Sequence, residues 1–309
     1  MKRAAVLCLL FLTSFILGSC VKPDTFIPVL TSATFDVEFV DSYGNYLGVW
    51  IDTAVPDSNR NIYHATTRTM KVYVYDENDT ILDEWGTSGA VDGQLDDIDG
   101  MTLDKNDNVY ISSGNSDRVQ KFTSGGTFLK KFTHANLDNP HDIAVDKSGN
   151  VFVVSFNTDS IIKFDKNGTY LTEWGGTGTG NGKFNNIAFI SVDPSGNIFV
   201  SDTENDCIQK FTNNGDFILK FGVSGSGEGE LATPQDIAFD DYGYIFVVDA
   251  ERGKIIKFNG GGAFIQEFGT KGFAEEYELG DPWQLYIFGN TFMIVDGAFE
   301  NHIKIFERE

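Results

Sequence analysis

Asp142-Ile143-Ala144-Val145, Asp146-Lys147-Ser148-Gly149-Asn150, Val151-Phe152-Val153-Val154, then Ile161-Ile162-Lys163-Phe164, Lys166-Asn167-Gly168 and Tyr170-Leu171-Thr172-Glu173-Trp174: this stretch decides the fold. It holds four short apolar or alternating runs, rich in β-branched and aromatic residues. Gly and Asn, which supply positive φ, separate them. That pattern reads as four antiparallel strands, a to d, rather than helix. The strand c phrase recurs as Val119-Gln120-Lys121-Phe122, Ile208-Gln209-Lys210-Phe211 and Ile255-Ile256-Lys257-Phe258. Looser copies are Val72-Tyr73-Val74-Tyr75 and Ile303-Lys304-Ile305-Phe306. The anchor aromatics at 75, 122, 164, 211, 258 and 306 are spaced 47, 42, 47, 47 and 48 residues apart. Ten residues after each of the first five stands a second aromatic: Trp85, Phe132, Trp174, Phe221 and Phe268. A period in the forties with four strands per unit is the signature of a propeller blade.

The segments Gly229-Glu230-Leu231, Pro234-Gln235-Asp236-Ile237-Ala238-Phe239-Asp240 and Ile245-Phe246-Val247-Val248-Asp249 resemble the NHL repeat. So do Val192-Asp193-Pro194-Ser195-Gly196-Asn197-Ile198-Phe199-Val200-Ser201-Asp202 and the phrase at Ile208. The resemblance spans about residues 60–306 and implies an all-β, six-bladed NHL-like β-propeller. The sixth unit stops at Phe306-Glu307-Arg308-Glu309, just after strand c. Its strand d is therefore expected from the N-terminal side, which removes an exposed edge. Phe35–Val40 is expected as that closing strand and Val49–Val55 as strand a of blade 1.

The N-terminus has the pattern of an export signal. Met1-Lys2-Arg3 precedes an apolar run from Ala4 to Gly18, too short to span a bilayer stably. Leu17-Gly18-Ser19-Cys20 resembles a bacterial lipobox, which implies lipidation of Cys20 and removal of residues 1–19. Residues 20–34 read as a tether and 35–309 as one propeller domain in the cell envelope, facing the periplasm or the surface. Cys207 is then the one thiol left in the folded body, so no intrachain disulfide is expected. The chain of 309 residues has 23 Lys+Arg, 45 Asp+Glu and a net charge of −22. That balance argues against nucleic acid as a partner, because phosphate binding relies on Lys and Arg releasing counterions. The partners left are the membrane, through Cys20, and a protein, peptide or glycan ligand.

In a propeller the strands a surround the axis. Aligning the units puts Asp99-Gly100, His141-Asp142, Ala188-Phe189, Gln235-Asp236 and Trp283-Gln284 at their entrances, with Ile51-Asp52 in blade 1. The candidate binding residues are Asp99, His141, Asp142, Gln235, Asp236, Trp283 and Gln284. His141 lies in Asn139-Pro140-His141-Asp142-Ile143, a place where peptide-amidating lyases look similar and use His from several blades to hold zinc. Here only one blade carries His, so no zinc site is expected. Asp99, Asp142 and Asp236 are the candidate ligands for an axial Ca²⁺, which favours six to eight oxygens. In that alternative the protein is a metal-dependent hydrolase or lyase with His141 as acid/base. The glycine-rich stretches 175–180 and 222–229 are expected to be mobile loops, and Asp202, Asp249 and Asp296 to cap the loop after strand b.

Overall fold

The computed structural model describes residues 33–35, 52–76, 80–272, 278–297 and 302–307. The four-strand pattern repeats six times as a four-stranded antiparallel sheet. Blade 1 is Thr53–Pro56, Ile62–Thr66, Lys71–Tyr75 and Ile81–Trp85. Blade 2 is Met101–Leu103, Val109–Ser113, Arg118–Phe122 and Phe128–Phe132. Blade 3 is Pro140–Val145, Val151–Ser155, Ser160–Phe164 and Tyr170–Gly175. Blade 4 is Ile187–Val192, Ile198–Asp202, Cys207–Phe211 and Phe217–Phe221. Blade 5 is Pro234–Phe239, Ile245–Asp249, Lys254–Phe258 and Phe264–Phe268. Blade 6 is Pro282–Phe288, Thr291–Asp296 and His302–Glu307, completed by Ala33–Phe35.

The N-terminal side thus supplies the last strand, with Ala33 opposite Ile305 and Phe35 opposite Ile303. That is two residues earlier than expected from the sequence; 36–40 lie outside the described residues, as do the signal and Cys20. Strand a of blade 1 spans Thr53–Pro56; the first residues of the expected Val49–Val55, 49–51, lie outside the described residues.

The core consists of six seams, one between each pair of neighbouring blades. Alternation along a strand explains them. Val151 and Val153 pack toward blade 2, while Phe152 and Val154 pack toward blade 4. Both faces of strand b are covered, so it reads as an unbroken apolar run instead of alternating with polar residues. The second aromatic of each repeat serves the next blade. Trp85 lies 5.1 Å from Phe122, Phe132 5.8 Å from Phe164, Trp174 6.0 Å from Phe211 and Phe221 4.9 Å from Phe258. Aromatic pairs at such separations add to area burial. The recurrent Lys before the anchor lies over its own blade's strand b aromatic: Lys121 over Tyr110, Lys163 over Phe152, Lys210 over Phe199.

The glycine-rich loops are pinned, contrary to the sequence expectation. Gly176 N–H donates to Asp159 O, Gly178 N–H to Phe184 O and Gly182 N–H to Gln209 Oε1. Gly175 holds φ +119° with Asp159 O 2.6 Å from where a Cβ would stand. Glycine here permits a close backbone approach, not motion.

Candidate functional site

Strands a of successive blades pack side by side around the axis. In blades 3 to 6 the entrance is set by a register break. In blades 3, 4 and 5 the ladder to strand b shifts between Pro140 and Ile143, Ile187 and Ile190, and Pro234 and Ile237. A bulge of this kind re-aims side chains. The two residues before the ladder resumes are His141-Asp142, Ala188-Phe189 and Gln235-Asp236. The equivalent pairing Met101 to Ile111 marks Asp99-Gly100, and Leu285 to Ile294 marks Trp283-Gln284. In blade 1, Ala54 pairs with His64, so the entrance pair is Asp52-Thr53, one residue later than the expected Ile51-Asp52.

The two positions behave differently. The first-position residues, Asp52, Asp99, His141, Ala188, Gln235 and Trp283, are all half-buried. The second-position residues, Thr53, Gly100, Asp142, Phe189, Asp236 and Gln284, are all buried. The seven candidate binding residues therefore divide. Asp99, His141, Gln235 and Trp283 belong to the half-exposed ring, and Asp142, Asp236 and Gln284 lie inside.

The inner residues bond the blades together. Asp142 Oδ2 accepts Ile190 N–H at 2.9 Å, closing seam 3–4. Asp236 Oδ2 accepts Leu285 N–H at 2.9 Å, closing seam 5–6. Gln284 Oε1 accepts Ala54 N–H at 3.1 Å and its Nε2 donates to Thr53 Oγ1 at 3.0 Å, closing seam 6–1. Gly100 and Phe189 cannot make such bonds. In their blades a serine on strand b replaces them: Ser112 Oγ donates to His141 O, and Ser201 Oγ donates to Gln235 O. Thr67 Oγ1 donates to Ile98 O at 3.3 Å across seam 1–2. Every seam thus carries a side-chain bond near the axis. Further out, Asp117, Asp159 and Asp206 stand at φ 47°, 49° and 49°. They accept the N–H of Asn139, Asn186 and Thr233 in the next blade.

The sequence reading missed these serines and latch aspartates. The serines are small polar breaks in otherwise apolar strands b; each latch Asp immediately precedes strand c. Asp202, Asp249 and Asp296 serve the segment before strand a of their own blade, accepting from Asn185, Ala232 and Gly280 N–H. Asp202 and Asp249 also hold the loop after strand b, through Asn205 Nδ2 and Arg252 N–H.

On the outer ring, His141 Nδ1 lies 3.0 Å from Ala188 O. A carbonyl only accepts, so Nδ1 carries the proton and Nε2 keeps its lone pair. The ring stacks on Phe156 at 5.6 Å and meets the edge of Phe189 at 5.9 Å. Burial lowers its pKa, so the imidazole is neutral at pH 7. Asp99 accepts Gly114 N–H at 2.8 Å. Burial, then the charges of Asp97 and Asp52, push its carboxyl up to about 6. Asp52 is raised as well, first by burial, with Asp97 adding to it.

A cavity of about 240 Å³ begins at the inner residues. Thr102, Asp142, Ser191, Asp236, Gln284 and Tyr286 supply its polar lining, and it follows strands a toward the a–b hairpins. There a larger hollow of about 740 Å³ lies among the hairpins of blades 3 to 5, sharing Val145, Val192 and Phe239 with it. Asp99 is absent from the cavity lining. Among the described residues no group of three or more His, Cys, Asp or Glu is placed to hold a metal ion.

A family model described as a 6-bladed beta-propeller (DUF5128) matches residues 194–289. No curated protein sequence matches the chain. Among solved structures, a catalytically inactive virginiamycin B lyase from Staphylococcus aureus with quinupristin is similar at 14% identity and TM-score 0.62, over 86% of each chain. A streptogramin B lyase is similar at 15% identity and TM-score 0.64, over 91% of this chain and 97% of that one. A protein of unknown function from Bacteroides thetaiotaomicron is similar at 16% identity and TM-score 0.61, over 84% and 70%. At these identities the likeness is one of fold. The chain is a six-bladed β-propeller whose last blade is completed from its N-terminal side.

Proposed function

We propose that the protein is an extracytoplasmic, lipid-anchored binding module whose entrance face takes a basic segment of a peptide or partner protein. The observation that carries this reading is the acidic sector of blades 1 and 2. There the charge of Asp97 raises the proton affinity of both Asp52 and Asp99, and the charge of Asp52 adds to the effect on Asp99. The same face carries Asp138, Glu204 and Glu251, bonded to Asn157, Asn185 and Thr233. An opposite charge brought to such a sector relieves its repulsion, and complementary fields steer encounter. Half-buried Trp283 and Gln235 add an aromatic surface and an amide whose side chain makes no hydrogen bond among the described residues. The test is fluorescence polarisation of the lipid-free chain against basic, neutral and acidic peptide panels. Basic peptides are expected to bind, with affinity falling in salt and about tenfold or more in the Asp52→Asn/Asp99→Asn double variant. Preference for neutral or acidic peptides, unchanged in that variant, contradicts the reading. Mass spectrometry of the native mature chain tests the anchor on Cys20.

A second reading is a hydrolase or lyase using His141. It is favoured by the neutral, oriented imidazole, whose Nε2 has no protein partner among the described residues. Turnover of a peptide or lactone panel that is lost in His141→Ala would establish it; equal turnover in the variant would exclude that role.

A further inference from the structure

Two carboxyls sit in the axial cavity without a basic neighbour. Asp142 and Asp236 are 8% and 7% exposed. They line one hollow of about 240 Å³ whose walls contain no Lys, Arg or His. The strands around it carry few other titratable groups. Strand a of blade 3 adds His141, whose ring is held by Ala188 O, Phe156 and Phe189. Strand a of blade 6 adds Tyr286, whose phenol burial holds far above its ordinary range, the two aspartates adding to it. Strands a of blades 1, 2, 4 and 5 add none beyond Asp236. Two like charges in one low-dielectric hollow cannot both ionise cheaply, and no cation offsets them.

We propose that Asp142 and Asp236 form a proton-binding pair that makes the closure of seams 3–4 and 5–6 depend on pH. Each carboxyl already spans one of those seams, through Ile190 N–H and Leu285 N–H. Protonation removes the buried charge while a carboxyl oxygen still accepts the N–H. Ionisation of both restores the repulsion across the hollow and favours opening of the blades that hold them. The physical causes agree. Burial pushes Asp142 up to about 7. It also raises Asp236 well above its ordinary value, with the charge of Asp142 adding to burial. The two titrate as a unit.

The sign follows from linkage. The unfolded chain ionises these carboxyls near their ordinary 3.8; in the folded chain Asp142 ionises near 7 and Asp236 well above 3.8. The folded state binds more protons in between, so the stabilising contribution is full below about pH 4 and is lost as pH rises through 7. This is opposite in sign to an ordinary ion-paired carboxylate. The device does not depend on the peptide-binding reading.

The experiment is urea unfolding of the mature chain from pH 5 to pH 8, compared with Asp142→Asn/Asp236→Asn. Asn keeps the seam acceptor and removes the titration. Relative to this double variant, the wild-type folding equilibrium is expected to weaken about a hundredfold or more over that range. Parallel pH profiles in the two proteins overturn the proposal. If the variant does not fold, ¹³C-aspartate NMR of the wild type decides alone. Asp142 titrating near pH 7 and Asp236 titrating well above the ordinary carboxyl range support the pair, and both titrating below pH 5 overturns it; Asp99 and Asp249 near 6 are expected on other grounds.

Discussion

Gln284→Met isolates the bonds that close the ring where its two chain ends meet. Met matches the length of Gln and fills irregular gaps, so the change removes hydrogen bonds with little change of volume. Gln284 is 4% exposed, and its partners Thr53 and Ala54 are fully buried. Two groups lose their partner: Ala54 N–H at 3.1 Å and Thr53 Oγ1 at 3.0 Å. A stranded buried N–H costs about 1–3 kcal/mol, and losing an ordinary hydroxyl bond about 1 kcal/mol more. The expected loss is about 2–4 kcal/mol, read as the shift in urea midpoint at constant slope. Gln235→Met is the control, because that side chain is half-exposed and makes no hydrogen bond among the described residues; its effect is expected within about 0.5 kcal/mol. A Gln284→Met midpoint equal to wild type, or an equal loss at Gln235, refutes the seam account.

Other expectations test other levels of the same structure. Trp174→Ala should cost about 3–5 kcal/mol in thermal or urea unfolding, since it removes the ring packed on Phe211 of the next blade. Gly215→Ala should destabilise for a different reason: φ is +89° and the Trp174 ring lies 2.7 Å from the new Cβ. Cys207 should resist a thiol reagent in the folded chain and react on unfolding, because burial pushes its thiol up to about 12. Asp99, with a folded pKa of about 6, should make stability fall as pH rises from about 4 through 6. In Asp99→Asn that part of the slope should vanish, since the amide oxygen can still accept Gly114 N–H.

Blade number and strand order were readable in the sequence because each repeat writes its packing twice. The strand c anchor and the aromatic ten residues on are in one blade, yet each meets the neighbouring blade's copy, as Trp85 meets Phe122. Such a pattern survives wherever the seam survives. The closing strand was readable only in outline. Topology demanded it, but Ala33-Thr34-Phe35 carries no copy of the strand d phrase, and three residues of pairing leave register to backbone geometry. Blade 1 misled by one residue because Asp52 and Thr53 are both polar, and only the pairing of Ala54 with His64 separates them. The entrance pairs were found, but not that one member faces out and the other binds the next blade. In blades 3 to 6 that division accompanies the bulge before Ile143 and its equivalents, which breaks the simple alternation a strand would impose. The pinned loops were misread because glycine looks the same in sequence whether it frees the backbone or, as at Gly175, lets another carbonyl approach.

Hydrogen exchange on the complex with a basic peptide tests the central claim most directly, because the propeller's two faces present separate backbone. The account predicts added protection in the b–c turns Gly114–Ser116, Phe156–Thr158 and Thr203–Asn205, and in residues 97–100, beside the acidic ring. Protection confined to the a–b hairpins 146–150 and 193–197, around the larger hollow, would place the ligand on the opposite face and contradict it.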